Sequence, residues 1–149
     1  MMVNYREKIT ALWVVFLLGL LFHTQLALMP LFHGLDVAHS HAGSESDVSI
    51  VFWLMLVFFL IPMAAIVAIA FTESYRYRVI HFGVTVLYSI LNFFHVVADL
   101  MVQPIVWSQI LLMVVLFLVG LLLNLVAYQW LRSSPAGKLR KARDVLHHS

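Results

Sequence analysis

The sequence predicts an all-α integral membrane protein: four transmembrane helices in an up-down-up-down bundle, both termini cytoplasmic. Three observations lead there. The chain contains four long apolar stretches. It is 63% hydrophobic and only 11% charged, less than half the roughly 25% charge of a soluble domain. Its lysines and arginines sit at alternate ends of the stretches and in the C-terminal tail. Residues 1–134 are expected to form the bundle, and residues 135–149 a basic cytoplasmic tail.

The first stretch covers residues 9–29, with Pro30 just behind. It follows Arg6 and Lys8, as a signal peptide would, but it exceeds an h-region of about 7–15 residues, and no clean small-x-small cleavage site follows. We therefore read it as a retained span. The second stretch covers residues 48–71. Ser44-Glu45-Ser46-Asp47 has the spacing of a capping box and should start that helix, and Pro62 is expected to kink it near the middle. The third covers residues 79–101 and the fourth 105–131. Each reaches the roughly 20 apolar residues that a spanning helix needs. Only Val102-Gln103-Pro104 separates the last two, which makes them antiparallel neighbours. Tyr5, Trp13, Trp53, Trp107, Tyr128 and Trp130 lie near stretch ends, where an aromatic belt would form.

Orientation follows from the basic residues. Arg6 and Lys8 precede the first span, and Arg76 and Arg78 separate the second from the third. Arg132, Lys138, Arg140, Lys141 and Arg143 follow the fourth. The other two connections hold no lysine or arginine, so the positive-inside rule puts both termini in the cytoplasm and the loop of residues 31–47 outside. Charge at span ends is a matter of topology and does not make a nucleic-acid surface. The absence of cysteine excludes disulfides, thiolate metal sites, iron–sulfur clusters and covalent haem attachment.

Against this apolar background Asp99 stands out. An ionisable residue inside a span costs about 2.5–3.5 kcal/mol at the helix centre and marks a functional site by default. His95 lies one turn before it on the same face. Tyr88, Asn92, His95 and Asp99 form a single stripe at i, i+4, i+7 and i+11, which lipid would force inward. His23 lies at a matching depth on the first span. The outer loop adds His33, Asp36, His39 and His41, a histidine-rich segment on the same side. Imidazole with carboxylate suits zinc, copper or iron. His95, Asp99, His23 and His33 are thus the expected ligands. Asp36, His39 and His41 would help from the loop, and Asn92 and Tyr88 would stand behind the ligands. His81 is expected at the inner interface.

Three functional classes fit. The first is an outward-opening site for a divalent transition metal. The second is a non-catalytic accessory or assembly subunit of a membrane complex. The third is a b-type haem subunit with His23 and His95 as axial ligands. Nitrogens about 4 Å or less apart would suit one metal ion, given bonds near 2.0–2.1 Å. A wider, flat gap would suit haem. No nucleophile–base pair, phosphate loop or dinucleotide fingerprint is present, so an independent enzyme is the less favoured class. The expected partners are the lipid bilayer and a membrane-protein partner or a second copy of the chain, with no nucleic acid.

Overall fold

The computed structural model describes residues 4–35, 45–101 and 105–133. Among the described residues every element is helical. Helix α1 is Tyr5–Leu28 and runs on into a 3-10 turn, Met29–His33. Helices α2, α3 and α4 are Glu45–Phe71, Tyr75–Met101 and Trp107–Arg132. All four are long and apolar enough to cross a membrane, so the chain is a multi-pass integral membrane protein. The 3-10 turn ends at Gly34, whose φ of 72° is the left-handed conformation that glycine adopts without steric cost.

The first three helices start about one turn before their apolar stretches. Polar residues there extend the helix and cap it. The Asn4 side chain accepts a hydrogen bond from the Glu7 backbone N–H, and Ser74 Oγ accepts one from that of Tyr77. Helix α2 begins at Glu45, where the capping-box spacing puts it; Ser44 itself lies outside the described residues, as do the tail and the loop positions Asp36, His39 and His41.

Side-chain contacts give the directions of the helices. Arg6 meets Ile69 and Glu73, and Arg78 meets Trp130, so α1 opposes α2 and α3 opposes α4. Trp13 meets His81 and His23 meets His95, so α1 and α3 run alongside in the same direction. Helix α4 packs most extensively, against both α3 and α1. The buried seam of α1 is Ile9, Trp13, Phe16, Leu20 and His23. That spacing of three and four keeps one helix face on its neighbours. On α4 the matching seam includes Met113, Leu116, Gly120, Leu123, Ala127 and Trp130. At Gly120 a Cβ would come within 3.0 Å of Ser89 Oγ, so the missing side chain is what lets α3 pass this closely.

Pro62 lies inside α2 without ending it. A proline has no N–H for the carbonyl four residues back, and here that carbonyl belongs to Phe58. The Tyr88 hydroxyl donates to it at 2.7 Å. The tyrosine of the polar stripe thus fills the hydrogen bond that Pro62 removes.

At the end opposite Asp99, two arginines cap helix C-termini. Arg6 donates to the Ile69 and Ala70 carbonyls of α2 and pairs with Glu73 at 2.7 Å. Arg78 donates to the Trp130 carbonyl of α4 at 2.9 Å and lies over the Trp130 ring. These last carbonyls have no backbone N–H partner within their own helix, the Trp130 carbonyl also accepting from Ser133 Oγ at 2.8 Å, and positive charge there is favourable. The aromatic belt is smaller than expected. Trp53 and Trp107 are well exposed, but Trp13 and Trp130 are buried and belong to the core. Position along a helix fixes a residue's depth but leaves its rotation open, and both tryptophans face inward.

Candidate metal centre

The buried seam of α1 ends in His23 and the polar stripe of α3 ends in His95 and Asp99. Parallel helices of matched register therefore bring the three side chains to one level. His23 Nε2 is 3.4 Å from His95 Nε2 and 3.6 Å from Asp99 Oδ2. His95 Nε2 is 3.5 Å from Asp99 Oδ1. The imidazoles stand edge to face, at 78° with centroids 5.3 Å apart. The His23 side chain is 10% exposed, Asp99 21% and His95 52%. The group is shielded on the α1 side and open beside His95.

These separations have a direct chemical meaning. Ligands bonded at about 2.0–2.1 Å to a tetrahedral ion stand roughly 3.4 Å from one another. The three measured contacts are of that size, with Asp99 using Oδ2 toward His23 and Oδ1 toward His95. One ligand atom from each of the three residues can be chosen so that all lie within 4.8 Å of one another, a spacing that one metal ion can bridge.

The other sequence-derived residues fall differently. His33 is exposed on the 3-10 turn and is not part of the group whose ligand atoms converge. Asn92 is 2% exposed, yet neither amide atom has a hydrogen-bond partner among the described residues. It therefore does not orient an imidazole. Tyr88 is committed to the Phe58 carbonyl and stacked on the Phe58 ring at 4.7 Å, so it does not support a ligand either. Both expectations read a shared helix face as contact, and the two residues sit one and two turns too deep. His23 Nδ1, buried, also lacks a partner among the described residues.

A second polar cluster escaped the sequence reading. His81 is 1% exposed and faces the core of the bundle. Its Nε2 accepts from Trp13 Nε1 and its Nδ1 faces the Tyr77 hydroxyl, each at 3.4 Å, while the Trp130 ring stands edge-on at 5.8 Å. Extending the α3 stripe two turns back from Tyr88, through Thr85 to His81, would have found it. Between the two clusters Asn124 Nδ2 donates to Ser89 Oγ at 2.9 Å and Ser89 to the Thr85 carbonyl. No family model, curated protein or solved structure matches the chain.

Proposed function

We propose that this chain is a membrane metal-binding protein in which His23, His95 and Asp99 hold one divalent transition-metal ion. The observation that carries the reading is the convergence of three side chains from two helices: the Nε2 atoms of His23 and His95 are 3.4 Å apart, and each lies 3.5–3.6 Å from a different oxygen of Asp99. Two histidines and one carboxylate form a donor set shared by open zinc sites and non-haem iron centres. Three protein ligands leave a position for water or a small molecule. The single carboxylate offsets part of the ion's charge, and the ion in turn compensates a half-buried acid inside a span.

Sidedness follows from the basic residues. Arg6, Arg78 and Arg132 lie at the end of the bundle away from the three ligands, so the positive-inside rule places that end in the cytoplasm and the metal site toward the outside. His33 lies on the same outer side, and with Asp36, His39 and His41 it would collect ions for the site. Retention, sensing or delivery on that side fits better than conduction, because the polar residues deeper on α3 are hydroxyls and amides until His81.

The haem alternative is less well supported. A porphyrin must pass between its two axial rings, and here Asp99 approaches both facing nitrogens. Cobalt(II) added to the purified apoprotein tests the proposal. The visible d–d bands of low-coordinate cobalt should appear in wild type and vanish in Asp99→Asn. A spectrum identical to that of aqueous cobalt would reject it.

A further inference from the structure

The two halves of α2 are held differently. In the inner half Arg6 donates to the Ile69 and Ala70 carbonyls, and the Tyr77 hydroxyl donates to the Ala65 carbonyl at 2.8 Å. Pro62 and Ile69 are buried there. In the outer half every residue from Phe52 to Val57 is exposed. A run of that length covers all faces of an α-helix, so lipid on one side does not account for it. No face of this segment is buried against the bundle. The space left is a cavity of about 580 Å³. Leu54 and Met55 wall it on α2, His23 borders it from α1 and His95 from α3. It is the open side of the histidine pair.

Pro62 marks the boundary between the halves. A proline ring clashes with the carbonyl four residues back and bends the helix there. Both partners of that clash are on the side of α2 that faces the bundle: Pro62 is buried, and the Phe58 carbonyl accepts from Tyr88. Relief of the clash therefore tilts the preceding turns outward, away from α3. That is the direction in which the cavity opens.

We propose that the outer half of α2 is a gate on a hinge at Pro62, which opens and closes over His23 and His95. The structure holds the open form. In the closed form Leu54 and Met55 swing into the cavity and cover the two imidazoles. Closure breaks no helical hydrogen bond at Phe58, because Pro62 supplies no N–H there. Lipid tails are as apolar as the side chains that would replace them, so burial alone forces neither form. The gate regulates access to two ligands of the metal site proposed above; the hinge itself rests on packing and needs no metal.

The test measures distances between spin labels by double electron–electron resonance on the full chain in lipid nanodiscs, without added metal. The chain has no cysteine of its own. Phe52→Cys with Leu111→Cys reports the outer half of α2 against α4, and Val67→Cys with Leu125→Cys the inner half; all four positions are exposed. The outer pair is expected to give two distances and the inner pair one. Pro62→Ala, which straightens the helix, should leave only the shorter outer distance. It should also lower carbethoxylation of His95 by diethyl pyrocarbonate severalfold, measured by mass spectrometry against the exposed His33. A single outer distance in the otherwise wild-type chain would overturn the proposal and make Pro62 a fixed bend. So would two distances that persist in Pro62→Ala, or His95 labelling that does not change.

Discussion

Tyr88 shows how a single residue ties sequence to packing. Its hydroxyl satisfies the Phe58 carbonyl that Pro62 leaves without a donor. A buried acceptor stripped of its partner costs about 1–3 kcal/mol in water-soluble proteins, whereas interhelical bonds in membranes average about 0.6 kcal/mol. We therefore expect Tyr88→Phe to lower stability by about 1 kcal/mol, read from unfolding in mixed micelles. A Tyr88→Phe, Pro62→Ala double variant should recover most of the loss, because replacing the proline with alanine restores the helical N–H. Full additivity of the two changes would show that the hydroxyl does not serve this carbonyl. Tyr88 was legible as an inward-facing residue, because lipid cannot satisfy its hydroxyl. Its actual partner depends on a proline in another helix, a relation that spacing along α3 does not contain. His23, His95 and Asp99 were legible for the same reason as Tyr88, and their meeting rested on depths that are simple to count. Trp13 was misread because the rotation of α1 is invisible where nearly every face is apolar; His81 was placed by depth alone, without carrying the α3 stripe two turns back.

Helix ends carry a different kind of information. The arginines that predict topology also close C-termini: Arg6 on α2 and Arg78 on α4. Glu73 is 77% exposed, and exposed ion pairs contribute little. Hydrogen bonds from a charged group to otherwise unpaired carbonyls contribute about 1.5–3 kcal/mol. Arg6→Gln is therefore expected to cost about 1–2 kcal/mol in detergent unfolding, and Glu73→Gln much less; equal losses would assign the stabilisation to the ion pair. Close helix packing makes a second prediction. Gly120 faces Ser89 and Phe16, and a Cβ there already reaches 3.0 Å from Ser89 Oγ. Gly120→Val should wedge α4 from α3 and destabilise by about 1–3 kcal/mol, the usual range for overpacking. Unchanged stability would mean that the interface yields. The number and order of helices were legible from apolar length alone. Their starts were displaced by about one turn, since the capping residues Asn4 and Ser74 lie in polar sequence beyond the apolar runs.

At the scale of the whole molecule, four apolar helices place two histidines and one acid from parallel neighbours at one level, beside an apolar cavity. Topology is directly testable because the chain has no cysteine of its own. Phe32→Cys, on the exposed 3-10 turn, should react with an impermeant thiol reagent in intact cells. Ser133→Cys, at the end of α4, should react only after permeabilisation. The reverse pattern would turn the site, and the histidine-bearing loop with it, toward the cytoplasm. The central claim is that His23, His95 and Asp99 form one metal site, and elemental analysis of the detergent-purified protein tests it most directly. After dialysis against a limiting concentration of zinc, wild type should retain one ion per chain. His23→Ala, His95→Ala and Asp99→Ala should each bind at least tenfold more weakly, with their helix content unchanged. A wild-type protein that keeps no metal, or three variants that keep as much as wild type, would contradict the account.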